Sequence, residues 1–232
     1  MPQLIDLSRE IHHRMPTFPT HSPVAIAPWG THSEIKQAED VTFTSASMML
    51  TMGDHAGTHV DAPAHFDADP DAMTVEKMPL ELFYASAICL DFSHLPLKSD
   101  ITVAELEKAE RASGEKIGAG DIVLLSTVFN AQVTPGSPAF YADFCGLTEE
   151  SATWLGEKKI TAFGVEAISP GRPGRNNYRV HQVCRDLGFT HIEGLVNLDR
   201  LVGKGRFRFI GFPLKIRGGT GSPIRAVAVL EE

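Results

Sequence analysis

Three histidines and an aspartate fall within eleven residues, His55-Ala-Gly-Thr-His59-Val-Asp61-Ala-Pro-Ala-His65, a spacing of HxxxHxDxxxH. Imidazole nitrogen and carboxylate oxygen are the donors that zinc, manganese and iron(II) share. A catalytic ion takes about three protein ligands and leaves one position open for water. His55, His59 and Asp61 supply three. The Gly57-Thr58 and Ala62-Pro63 steps argue against one continuous helix, so the chain itself must bend to bring the ligands together. A turn at Gly57 followed by extended chain puts His59 and Asp61 on one strand face at period two, with His55 folded over them. An ion held this way activates water near neutral pH and polarises a carbonyl, which points to a hydrolytic enzyme. His65, four residues past Asp61, reads as the proton carrier, because an imidazole titrating near pH 6.5 takes a proton from water and returns it to a leaving amine. Orienting Asp61 from behind is its other reading. Asp54 reads as a solvated turn residue.

Strands and helices must alternate to position this segment. Apolar runs at 4–7, 46–52, 87–92, 121–127, 161–165, 191–198, 207–214 and 224–230 are bounded by Gly, Pro or Asp and read as strands. Helical patterns lie between them. Thr102-Val-Ala-Glu opens one as a capping box over 102–112, and a second spans 148–158. A third runs from Tyr178 to Leu187, where Val180, Val183, Cys184 and Leu187 recur at helical spacing and Gly188 follows as a C-cap. The mixture predicts an α/β fold, a single mixed sheet with packed helices in one domain over residues 1–232. The stretches 67–72 and 168–177, rich in turn formers, read as long loops of the kind that border a binding site.

Composition narrows the partners. With 29 acidic against 21 basic side chains the formal charge is -8, and no basic run tracks phosphates or anionic lipid. Nucleic acid and membrane surfaces are therefore not expected partners. No window holds the ~20 consecutive apolar residues of a membrane span, and the opening MPQLIDLSRE has no signal-peptide layout, so a cytoplasmic location is expected. Cys89, Cys145 and Cys184 are far apart, with no CxxC pair, and read as buried free thiols.

The string Gly53-Asp54-His55-Ala56-Gly57-Thr58-His59-Val60-Asp61-Ala62-Pro63-Ala64-His65-Phe66 resembles the signature of the cyclase-type metal-dependent hydrolases, a group that includes bacterial kynurenine formamidases and isatin hydrolases. The opening Leu4-Ile5-Asp6-Leu7-Ser8, the Met15-Pro16-Thr17-Phe18-Pro19 turn, the 121–125 strand and the His191-Ile192-Glu193-Gly194-Leu195 strand follow in the same order, so the resemblance spans nearly the whole chain. It implies a swivelling β/β/α fold and a two-ion site. By that likeness His55, His59 and Asp61 hold the first ion, while Asp61, His181 and Glu193 hold the second, with Glu193 touching both. Residue type alone would make His181 a helix-surface residue and Glu193 a strand-end charge.

The resemblance further implies hydrolysis of an amide-type C–N bond in a small aromatic substrate by metal-bound hydroxide, with an aryl formamide such as N-formylkynurenine as the main expectation. Lactam or lactone hydrolysis, or a lyase reaction, is the alternative. A non-catalytic protein stabilised by its metal is a further one, opposed by the open coordination position that three ligands leave. Two divalent ions per chain are expected, zinc first and manganese second, in a homodimer or homotetramer. Phe18 stands where kynurenine formamidases commonly carry a tryptophan; its ring can still stack on a substrate, with less area. Trp29 reads as core, with substrate stacking as its other option, and Arg172 and Arg175 as surface residues or a carboxylate clamp.

Overall fold

The uninterrupted apolar runs in the middle of the chain become the centre of a sheet, as expected of strands covered on both faces. The computed structural model describes residues 2–231. Nine strands form the main sheet: β1 (Gln3–Asp6), β2 (His59–Asp61), β3 (Tyr84–Asp91), β4 (Ile122–Ser126), β5 (Ala162–Val165), β6 (Thr190–Glu193), β7 (Phe207–Ile210), β8 (Gly221–Pro223) and β9 (Val227–Leu230). They lie in the order β1-β9-β7-β3-β4-β5-β6-β2-β8. The four central strands, β3 to β6, are mutually parallel, and the flanking pairs on both sides are antiparallel. This is the mixed α/β sheet expected from the sequence.

Alternation along β4 shows how the two faces are filled. Ile122 and Leu124 point into a cluster with Phe83, Ile192, Leu198 and Phe209. Val123 and Leu125 point to the opposite face, against Leu106, Leu155, Val180 and Phe163. That second face carries the helices α2 (Val103–Ser113), α3 (Glu149–Glu157) and α4 (Arg175–Leu187), while the one-turn α1 (Pro63–Phe66) follows β2 and packs against α4. Thr102 caps α2 by accepting from the Glu105 amide at 3.3 Å, but the Glu105 carboxylate turns to His94 at 2.7 Å and leaves the box open. Thr148 and Ser151 close a reciprocal box on α3. Gly188 ends α4 in the left-handed conformation, as its position predicts.

Two expectations need correction. Helix α4 begins at Arg175, so the end of the predicted 168–177 loop is its first turn; the polar Arg-Asn-Asn has no apolar periodicity to reveal it. Trp29 is not core but 76 % exposed. It lies on a ribbon made of two antiparallel pairs, Ala25–Gly30 with Ser47–Thr51 and Ile35–Ala38 with Val41–Thr44, which is exposed throughout residues 31–51. The apolar run at 46–52 is therefore a strand, but one outside the core. Arg172, read as a surface residue or a clamp, pairs with Asp100 at 3.3 Å. No helix among the described residues is long and apolar enough to cross a membrane.

Candidate metal centre

The motif folds as its glycine demands. Gly57 takes φ +69°, a left-handed turn that costs a glycine little, and β2 begins two residues later. On β2 the side chains of His59 and Asp61 share the helix-bearing face, and Val60 between them enters the opposite cluster. Antiparallel pairing sets Glu193 of β6 opposite His59 and Ile192 opposite Val60. The same register brings His191 beside Asp61, with His191 Nε2 3.2 Å from Asp61 Oδ2. Four polar side chains from two short strands thus converge below α1 and α4. Gly194 keeps the strands close: a Cβ there would stand 2.7 Å from the Gly57 carbonyl oxygen, and its own φ is +69°. Thr58 Oγ1 ties the segments by donating to the Gly194 carbonyl at 2.6 Å and accepting from the Arg9 amide at 2.8 Å.

The donors fall into two groups that share Asp61. One comprises His55, His59 and Asp61; the other comprises Asp61, His181, His191 and Glu193, and within each group the donor atoms lie within 4.8 Å of one another. Asp61 turns Oδ1 toward the first group, at 2.8 Å from His55 Nδ1 and 3.5 Å from His59 Nε2. It turns Oδ2 toward the second, at 3.7 Å from His181 Nε2. Glu193 divides in the same way, Oε2 lying 3.5 Å from His59 Nε2 and Oε1 3.2 Å from His191 Nε2. The predicted ligands His55, His59, Asp61, His181 and Glu193 are therefore all brought together, and His191 is an additional member that sequence reasoning did not select. The clue was present: His191 and Glu193 stand two apart on a strand, as His59 and Asp61 do.

This donor set fits divalent ions. Bonds of about 2.0–2.1 Å place tetrahedral ligands about 3.3–3.4 Å apart, within the span of the separations found. The histidines are also held for ligation. Each ligating imidazole needs an outer partner to fix its tautomer and ring. His59 Nδ1 donates to the Gly57 carbonyl at 3.0 Å, and His181 Nδ1 to the Asn177 carbonyl at 2.8 Å. His55 Nε2 lies 3.0 Å from Thr220 Oγ1, whose hydroxyl donates to Asp54 Oδ2 at 2.9 Å. Asp54, expected to be solvated, is instead the outer end of this relay and also accepts the Thr220 and Gly221 amides. Electrostatics point the same way. Burial opposes charge at Asp61, yet His191, His181 and His55 hold its carboxyl well below the usual range. Burial likewise opposes charge on His59 and His191, yet the neighbouring carboxylates raise both. Such a cluster concentrates positive charge, and an incoming cation displaces those protons.

His65 differs from the other histidines. Its Nε2 is 3.7 Å from Asp61 Oδ2, 29 % of its side chain is exposed, and no outer hydrogen bond from the described residues fixes its ring. Burial, partly offset by the Asp61 carboxylate, pushes its pKa down to about 4, which keeps the imidazole neutral at pH 7 and able to accept a proton. It faces a pocket of about 560 Å³ that includes Phe18, His21, Phe66, Tyr178 and the ligand side chains in its lining. Phe18 is thus on the pocket wall. His21 was not anticipated; its ring lies 5.1 Å from that of His55 and 5.5 Å from that of Phe18.

Residues 5–172 match the model of the family described as "Putative cyclase". The chain belongs to the cyclase family. The matched region includes the whole His55–His65 motif and ends before α4, so His181, His191 and Glu193 lie beyond it. Among cyclase-family relatives, the isatin hydrolase of Roseibium aggregatum is 30% identical over 202 residues, 78% of this chain and 73% of its own length. A kynurenine formamidase of Bacillus cereus is 27% identical over 225 residues, 96% of this chain and 95% of its own length. The crystal structure of an isatin hydrolase bound to the product analogue thioisatinate superimposes with a TM-score of 0.85 at 25% identity, covering 100% of this chain and 93% of that one.

Proposed function

We propose that this cyclase-family chain is a metal-dependent hydrolase of an amide-type C–N bond in a small aromatic substrate, acting as an arylformamidase. The observation that carries this reading is the pair of carboxylates, Asp61 and Glu193, each presenting one oxygen to each of two donor groups on the floor of an aromatic-walled pocket. Two divalent ions are assigned to those groups, zinc first because nitrogen and carboxylate donors at these spacings suit it, and manganese second. Bound there, an ion would lower the pKa of water toward about 7 and polarise the substrate carbonyl.

The chain's own residues supply the remainder. His65 accepts the proton of the attacking water as a neutral base and returns it to the nitrogen of the leaving amine. Phe18, Phe66 and Tyr178 give the pocket faces on which an aryl ring stacks and from which water is displaced. Ring-opening of a lactam such as isatin is the second reading, favoured by the R. aggregatum relative and by the thioisatinate complex. Both reactions attack an amide carbonyl on an aryl nitrogen.

The arylformamidase reading is tested by loading the purified chain with zinc or manganese and supplying N-formylkynurenine and isatin. Turnover of the formamide supports the first reading and turnover of isatin alone the second. Absence of turnover with both, in protein carrying its metal, refutes the proposal. Assembly as a homodimer or homotetramer is also proposed, since the ribbon exposes Trp29, Ile35, Phe43, Met48 and Leu50, an apolar surface of the kind a second copy covers. The three buried free thiols suit the reducing cytoplasm.

A further inference from the structure

We infer that His191 is a fourth protein ligand of the second ion, beside Asp61, His181 and Glu193. This rests on the two-ion reading above and adds to it a ligand that the likeness to other chains did not supply.

Position is the first argument. His191 Nε2 stands 3.2 Å from Asp61 Oδ2 and 3.2 Å from Glu193 Oε1, close to the about 3.3–3.4 Å that separates tetrahedral ligands at zinc distances. His181 Nε2 completes the group at 3.7 Å from Asp61 Oδ2. A single N–H directed at one oxygen would be expected to favour that oxygen; equal separations suit a ligand facing a common centre. The second argument is how the ring is held. His191 is fully buried and stacks against Phe163 at 5.5 Å and 19°, and against Phe66 at 6.1 Å and 23°. Its outer nitrogen Nδ1 lies 3.7 Å from Cys184 Sγ, so Nε2 is the nitrogen left facing inward. An outer partner with a free inward nitrogen is the arrangement also found at His55, His59 and His181.

The two donor groups then match: the second offers His181, His191, Asp61 and Glu193, and the first offers His55, His59 and Asp61 together with the facing oxygen of Glu193. Each has two imidazoles and an oxygen from each of the two carboxylates, a set of four that suits a zinc ion. Without His191 the second group would hold a single imidazole.

The test uses the full chain loaded with zinc, with ions per chain counted by mass spectrometry during incubation with a chelator. Wild type is expected to begin with two ions. His191→Leu, which keeps an apolar filling between the two phenylalanines, is expected to release one ion about 10–100-fold faster than wild type does. His191→Gln, which keeps a hydrogen-bonding group, serves as the second variant, and melting of the metal-free forms checks folding. Cobalt substitution gives a separate readout, since the visible bands of the ion held by His181 should weaken in both variants as water replaces the imidazole. Two ions released at wild-type rates in both variants would overturn the inference alone. A wild-type chain that takes up only one ion would overturn the two-ion reading, and this inference with it.

Discussion

Replacing Thr58 by valine should destabilise the fold without removing any metal donor. Valine matches the shape of threonine, so no cavity opens, and the loss comes from two hydrogen bonds. The Gly194 carbonyl, in a buried residue, loses its donor at 2.6 Å, and the Arg9 amide loses its acceptor at 2.8 Å. A buried polar group left unpaired costs about 1–3 kcal/mol. Arg9 is only half-buried, so its amide can recruit water and falls at the low end. The sum is about 2–4 kcal/mol, which for a chain of this size lowers Tm by about 4–16 °C. Metal-free protein must be compared by calorimetry, because ions that bind only the folded state add their own stabilisation and mask the difference. Each variant is then reloaded with zinc, and two ions per chain are expected. A Tm fall below about 2 °C, equivalent to less than about 1 kcal/mol, would refute the assignment of Thr58 as the clamp between the Gly57 turn and β6.

Other substitutions separate proton transfer, stacking and assembly. His65→Ala should keep its full complement of ions and lower kcat by about 10²–10⁴, whereas loss of an ion would make His65 a ligand. Phe18→Ala should raise KM for an aromatic substrate roughly 2–10-fold with kcat little changed, as removal of one aromatic contact predicts; an unchanged KM would place the substrate elsewhere. Trp29→Glu combined with Phe43→Glu should reduce the mass seen by light scattering to that of one chain, and an undiminished oligomer would rule out the ribbon as the interface.

The contrast between the first donor group and His191 shows what a linear sequence can convey. His55, His59 and Asp61 lie in one stretch of seven residues with a glycine where the chain must turn, so their convergence is a local matter. His191 sits in an apolar strand, where a histidine reads as core, and what makes it a donor is the β2–β6 register. That pairing joins segments with no local signal for each other. Trp29 failed for a different reason. An apolar side chain registers the need for a cover but not whether the cover comes from its own chain, so Trp29 alone reads as interior. The loop before α4 marks a third limit, because a polar first turn has no periodicity.

The arrangement of β2 also bears on how the chain is made. Asp61 pairs across β2 with Gly221, so 221 − 61 = 160 further residues must be added before the strand has both neighbours. At about 5–20 residues per second, that interval is about 8–32 s on the ribosome. For most of it the histidine-rich segment has no Glu193, and almost to its end no Thr220 anchor for His55. The complete donor set with its outer anchors therefore exists only once the sheet is finished.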